Sequence, residues 1–207
     1  MPVRNFISSS GAGKVKRITP VALIFSPVTN TVSSRGSLSA ATISDPDFNP
    51  DTCTIRINGA GAEMPNGDSS LTSSGGFHGF ELMVQNSTTI LMISHTTPIS
   101  NLTVNILVTE YESTALSSPV QHGYGDSQNL SGTTVREELV TIDTAIQNPN
   151  KSIAIDAKWN GTNAGGGTIL GRTLYPEPID STTIKFKYVS TSGTSYAFRA
   201  WQVVPFK

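Results

Sequence analysis

The sequence has little cysteine, little charge and few aromatic residues. One of its 207 residues is cysteine, 14% are charged and 7% are aromatic. The lone Cys53 excludes an intrachain disulfide, so the fold must be held together without one. The formal net charge is −1, whereas proteins that bind nucleic acids or anionic membranes usually carry a basic patch or stripe. The composition therefore predicts no nucleic-acid partner and no membrane partner.

Long hydrophobic runs are also missing. The apolar stretch Val21–Phe25 is far too short to span a bilayer, which takes about 20 apolar residues. The first 17 residues are polar and basic, without the apolar core of a signal peptide. We therefore expect a protein that is made in a cytoplasm.

The chain is instead rich in Ser, Thr, Asn and Gly, which are poor helix formers and common in turns. Short apolar segments alternate with polar residues between these turns. The clearest case is Ser181–Lys207, in which apolar and basic residues alternate up to a turn at Ser192–Thr194. This period-two pattern around a glycine turn predicts a β-hairpin, and the chain as a whole is predicted to be all-β.

A looser copy of this hairpin occurs at Ser87–Glu112. The four residues Ser87–Ile90 recur letter for letter as Ser181–Ile184, and other landmarks recur in the same order. Further correspondences include Asn49–Asp51 with Asn148–Asn150, Ile55 and Ile57 with Ile153 and Ile155 after a one-residue slip in spacing, and Leu107–Glu112 with Gln202–Lys207. Repeated landmarks predict two tandem, small, antiparallel β-sandwich modules.

The composition along the chain gives the expected boundaries. Residues 1–31 are predicted to be an N-terminal attachment arm, 32–112 the first module, 113–134 a linker and 135–207 the second module. In the arm, the basic residues Lys14, Lys16 and Arg17 are predicted assembly contacts.

The closing segment Trp201–Phe206, together with Ser181–Ile184 before it, resembles a module found in bacteriophage virion proteins. The opening segment of that module corresponds to Arg35–Leu38 here and, more weakly, to Arg136–Leu139. This chain departs from the pattern at Pro205, where the module usually has Glu, and the first copy lacks the Trp and Gln. The motifs are strand patterns without catalytic groups.

The resemblance implies a non-enzymatic structural component of the tail, neck fibre, baseplate or capsid decoration, in two tandem copies of the module. Such a protein would be made in the host bacterial cytoplasm and located in the virion. Its expected partners are other virion proteins and further copies of itself, in a homo-oligomer.

The residues themselves predict no catalytic site, no cofactor and no metal. His78, His95 and His122 are far apart in the sequence, and Cys53 has no partner motif. The aspartates between Asp45 and Asp51 are interrupted by Pro46 and Pro50, which favours a turn over a calcium loop. No G-x-S-x-G nucleophile motif occurs. We therefore expect no enzyme.

An alternative function is binding of a carbohydrate or host surface. Phe77 and His78 lie in a glycine-rich loop, and Trp159 precedes the turn dipeptide Asn160–Gly161. Aromatic side chains beside polar groups can stack on sugars. These three residues are therefore candidate contacts for a surface glycan or a partner protein.

Overall fold

The computed structural model describes residues 14–25, 31–32, 36–63, 80–94, 102–131, 134–155, 158–159, 172–190 and 194–207. These residues form β-strands and two single-turn 3-10 helices, Ser113–Ala115 and Pro149–Lys151, and the described part of the chain contains no α-helix. The predicted all-β class is confirmed.

Fourteen strands are described, and every pairing between them is antiparallel. The first seven are β1 (Val15–Phe25), β2 (Thr31–Val32), β3 (Gly36–Thr42), β4 (Cys53–Glu63), β5 (Phe80–Val84), β6 (Thr89–Ser94) and β7 (Leu102–Tyr111). The others are β8 (Gln121–Ser131), β9 (Thr134–Thr141), β10 (Ser152–Ile155), β11 (Lys158–Trp159), β12 (Arg172–Pro178), β13 (Thr183–Ser190) and β14 (Thr194–Pro205).

The strands form two modules with the same topology. The first module has one sheet in the order β1-β7-β4 and another that contains β5-β6-β3, extended at its ends by β11 and β2. The second module has the sheets β8-β14-β10 and β12-β13-β9. When the two-residue strands β2 and β11 are left out of the count, the first, last and third strands of each module share one sheet, and the fourth, fifth and second share the other. The predicted duplication thus extends to the strand order.

Each module has a core that draws on both of its sheets. In the first module, Leu23, Ile55 and Val108 from one sheet meet Phe80 and Met92 from the other, all buried. In the second module, Trp201 and Val203 of β14 meet Ile184 and Phe186 of β13. Alternate residues of these strands point inward, as the period-two pattern predicts.

The repeated Ser-Thr-Thr-Ile sequence forms the same turn in both modules. The backbone N–H of Thr88 donates to Asn86 Oδ1 over 2.9 Å, and that of Thr182 donates to Asp180 Oδ1 over 2.7 Å. Thr88 and Thr182 then accept backbone hydrogen bonds from Ile43 and Ile142, at 2.9 and 2.8 Å. Asn and Asp close such turns with their side-chain oxygens.

The first strand of each module lies within a segment that was predicted to be an arm or a linker. β1 begins at Val15, inside the predicted arm 1–31, and pairs with β7 along its length. β8 lies inside the predicted linker 113–134 and pairs with β14. Both stretches therefore contribute a strand to a sheet. Pro20 fits in β1 because β1 is an edge strand. Residues 1–13 of the arm lie outside the described residues.

Candidate protein–protein interface

The two modules meet at a buried junction that centres on Gln202. Its neighbours Trp201 and Val203 point into the second core, so Gln202 points out of the module, towards the first one. Its Oε1 accepts the backbone N–H of Ile55 at 2.7 Å, and its Nε2 donates to the Ile55 carbonyl at 2.8 Å. β4 is an edge strand. The Gln202 carboxamide therefore pairs with the edge of β4 as a neighbouring strand would.

Other polar contacts cross the same junction. The backbone N–H of Ala200 donates to Glu81 Oε2 at 2.7 Å, and Glu81 is buried. His122 Nε2 lies 2.9 Å from the carbonyl of Pro50. Because a carbonyl only accepts, Nε2 carries the hydrogen. Burial lowers the pKa of His122 below its usual value of 6.5, so the imidazole is neutral at pH 7.

Apolar side chains fill the remainder of the junction. The rings of Tyr111 and Phe206 pack edge to face, with centroids 5.6 Å apart. Ala200 and Tyr124 pack against Ile93 and Met83 of the first module. The cluster around the two rings consists of Tyr111, Leu116, Val120, Ile155, Val204 and Phe206. The modules are therefore joined by buried polar contacts and by two clusters of apolar side chains.

The predicted basic contacts Lys16 and Arg17 bind acidic groups within the chain. Lys16 Nζ lies 2.8 Å from Glu110 Oε1, and Arg17 Nε lies 2.7 Å from Glu110 Oε2. Arg17 also reaches Asp45 at 3.0 Å and Asp47 at 3.4 Å, so its guanidinium occupies the aspartate turn. The hydrogen bond from Lys16, joined by one from Arg17, lowers the pKa of Glu110 below its usual value of 4.5. An assembly role for these residues stays a prediction.

The other predicted contacts are less fully described. Lys14 Nζ lies 4.2 Å above the ring of Phe206, a cation–π contact. Phe77 and His78 lie outside the described residues. Trp159 belongs to β11, which pairs with β5 of the first module opposite Phe80. Glycan binding through these residues stays a prediction. In the described part of the chain, no group of three or more His, Cys, Asp or Glu side chains is placed to hold a metal.

One outer surface of the first module is apolar, and we call it the β1 face. It consists of the outward side chains of β1, with Ile18 58% and Ile24 62% exposed. The outer face of an antiparallel sheet is normally polar when water covers it. Its members are Val15, Ile18, Pro20, Ala22 and Ile24.

The second module has a groove of about 490 Å³ between its edge strands β10 and β12, which we call the β10–β12 groove. Ile153 is 49% exposed there, and Lys185 Nζ pairs with Glu177 Oε2 at 3.1 Å. Its lining comprises Ser152, Ile153, Ala154, Pro176, Glu177, Pro178, Lys185 and Lys187. Ile179, which is also exposed, follows Pro178 directly.

Comparison with known proteins adds no relative. No family model, no curated protein and no solved structure matches the chain. Among the described residues, no helix is long and apolar enough to cross a membrane.

Gln202, Glu81 and His122 of the junction were not among the predicted site residues. Gln202 did carry a signal, because it is the single polar side chain in the run Trp201–Phe206. Glu81 and His122 carried none, since each stands in a stretch where alternation allows an exposed polar residue. Their burial arises only when the modules pack together.

Proposed function

We propose that this chain is a non-enzymatic structural component of a bacteriophage particle and that its modules act through protein–protein assembly. The observation that carries this proposal is the distribution of exposed apolar side chains. Among the described residues, six large hydrophobic side chains are exposed. Three of them lie on the β1 face and two lie at or beside the β10–β12 groove, and Leu139 of β9 is paired with Lys185, a lining residue of that groove.

Clusters of exposed apolar side chains support assembly, because their contact with water is unfavourable. Single exposed hydrophobic residues are common on protein surfaces, whereas grouped ones usually mark a contact with another molecule. The intrachain junction supports the same proposal, since it shows that one module of this type can bind another through its outer sheet surface. The resemblance of Trp201–Phe206 to a virion module gives the setting.

Purified particles of the virus that encodes the chain test this function. Peptide mass spectrometry of particles banded on a density gradient should find the chain at a fixed multiple of a known capsid or tail protein. Immunogold labelling should then place it at one position on the particle. A chain that stays in the lysate and is absent from gradient-purified particles would overturn the structural role.

A further inference from the structure

We infer that the β10–β12 groove of one copy binds the β1 face of a second copy, so that chains associate head to tail; this partner assignment rests on the structural role proposed above. The inference comes from the duplication. Because both modules have the same strand order, each residue at the junction has a counterpart in the other module.

The backbone pairing fixes these counterparts. Cys53 follows the turn at Asn49–Asp51 and pairs with Glu110. Ser152 follows the turn at Asn148–Asn150 and pairs with Pro205. Counting on from these positions matches Ile55 of β4 with Ala154 of β10. On β7 and β14, it matches Leu107 with Gln202 and Thr109 with Val204. On β1 and β8, it matches Pro20 with His122. In the other sheets, Ile93 matches Lys187 and Met83 matches Glu177.

We call the surface of the first module that the second module covers the receiving surface. At this surface, the backbone of Ile55 binds Gln202, while Ile93 and Met83 pack with Ala200. The counterparts of the three receiving residues all line the β10–β12 groove: Ala154, Lys187 and Glu177. The groove is therefore the receiving surface of the second module, without an occupant from its own described residues.

The exposed fractions of two matched residues also show that this surface is covered in the first module and open in the second. Thr54 of the first module is 1% exposed, whereas its counterpart Ile153 is 49% exposed. A threonine is thus covered at the junction, while a more apolar isoleucine stands open at the groove. This arrangement favours a further contact at Ile153, because covering an exposed isoleucine is favourable.

We call the surface of the second module that covers the first module the inserting surface. Its counterpart on the first module is exposed. In the second module, the outer face of β8 and β14 packs against the first module, so Val120 is 4% exposed and Val204 is fully buried. Counting one residue beyond the paired part of β8 makes Ile18 the counterpart of Val120, and Ile18 is 58% exposed. The corresponding surface of the first module therefore contains the β1 face and is open.

Each copy thus has one open inserting surface and one open receiving surface, on different modules. A contact that joins two different surfaces is heterologous, and it produces a ring if the rotation closes or a filament if it does not. A second copy is the partner that the structure favours, because the intrachain junction already joins these two kinds of surface.

The contact between copies has a different chemistry from the intrachain junction. Leu107 stands in the place of Gln202, so the backbone hydrogen bonds of the junction are not repeated. Instead, Ile18 and its neighbours would meet Ile153, the prolines of β12 and the aliphatic stems of Lys185 and Lys187, whose charged ends stay in water. We therefore expect a reversible contact that strengthens with protein concentration.

Complementation between two variants tests the head-to-tail arrangement. Ile18→Lys blocks the inserting surface, because its ammonium group would face Lys185 and Lys187, and Ile153→Lys blocks the receiving surface. Sedimentation velocity and native mass spectrometry should show concentration-dependent oligomers for the unmodified chain. Each variant alone should associate at least about tenfold more weakly, which corresponds to about 1.4 kcal/mol. Thr42→Lys is the control, since Thr42 is exposed on β3 and lies on neither surface.

The mixture of the two variants gives the decisive result. One retains an intact groove and the other an intact β1 face, so an equimolar mixture should form a one-to-one dimer and stop there. A mixture that stays monomeric, while the unmodified chain forms oligomers, would overturn the head-to-tail contact and indicate an isologous one. Association by Thr42→Lys as weak as that of the two variants would equally overturn it.

A monomeric unmodified chain at all concentrations would overturn this inference without touching the proposed function, which is judged by the presence of the chain in purified particles. Circular dichroism and thermal unfolding check that each variant folds. Ile24→Lys replaces Ile18→Lys if the latter does not fold, because Ile24 lies on the same face and is 62% exposed.

Discussion

The side chain of Gln202 binds both backbone groups of Ile55, at 2.7 and 2.8 Å, and so joins the second module to the free edge of β4 in the first. Gln202 is 2% exposed. An unpaired strand edge is an open site for association with other chains. The contact therefore satisfies buried polar groups and also protects that edge.

Replacement of Gln202 by methionine should destabilise the protein by about 2 kcal/mol or more. Methionine has a similar length but leaves the buried N–H and carbonyl of Ile55 without partners, and each unsatisfied group costs about 1–3 kcal/mol. Urea unfolding measures the loss. Gln121→Met is the matched control, because the Gln121 carboxamide binds both backbone groups of Thr144 at an exposed position. A similar loss in both variants would contradict a special role for burial.

Gly123→Ala should destabilise the second module by about 1–3 kcal/mol, the usual cost of overpacking. Gly123 pairs with Trp201 across β8 and β14, and a Cβ at Gly123 would lie 2.1 Å from Cζ2 of the indole ring. Thermal unfolding measures the loss. The double variant Gly123→Ala, Trp201→Leu should lose less than the sum of the two single variants. Additive losses would show that the indole does not require the glycine.

Much of the fold is encoded locally and could be predicted. The Asn or Asp before Ser-Thr-Thr closes a turn with its own side chain, so the repeat marks the same hairpin in both modules. The full extent of the first strands was harder to predict, because their pairing is not local. β1 begins in basic sequence and contains Pro20, and β8 is polar with two glycines, so the full length of each strand depends on its pairing with β7 or β14.

The site was harder to predict than the fold. Alternation shows which side chains leave a core, but not which surface of another module covers them. The sequence interpretation matched Ile153 with Ile55, whereas the register matches Ala154 with Ile55. This one-residue shift moves Ile153 to the outer face, where it lines the groove. A shift of one residue exchanges the two faces of a strand.

His122 should make stability decrease as the pH falls below about 6.5. Burial lowers its pKa in the folded protein, so the unfolded chain takes up the proton first. At pH values above the unfolded-state pKa, the imidazole is neutral in both states and does not change the stability. Below the folded-state pKa, the imidazole is protonated in both states and the loss of stability levels off. Urea unfolding at about pH 8 and about pH 5 measures the change. In His122→Gln, whose amide can still donate to the Pro50 carbonyl, the change should be smaller. An equal change would contradict the assignment.

Glu110 should add a second pH dependence, at lower pH. The hydrogen bonds from Lys16 and Arg17 lower its pKa below 4.5, so its stabilisation is complete above the unfolded-state pKa. This stabilisation is lost as the pH falls through the folded-state pKa of Glu110. Acid unfolding of Glu110→Gln should therefore show a weaker dependence below about pH 4.5 than the unmodified chain.

The two basic partners of Glu110 should differ in their contribution to stability. Arg17 is 29% exposed and also binds Asp45, whose side chain is 5% exposed, whereas Lys16 is 54% exposed. Arg17→Ala leaves the poorly solvated carboxylate of Asp45 without its arginine and Glu110 with only the exposed Lys16, so we expect a loss on the order of 1 kcal/mol or more. Lys16→Ala should lose less, because water screens its ion pair. Urea unfolding at neutral pH compares the two variants. A larger loss for Lys16→Ala would show that Glu110 depends on the exposed lysine, and that Arg17 does not hold β1 to the aspartate turn.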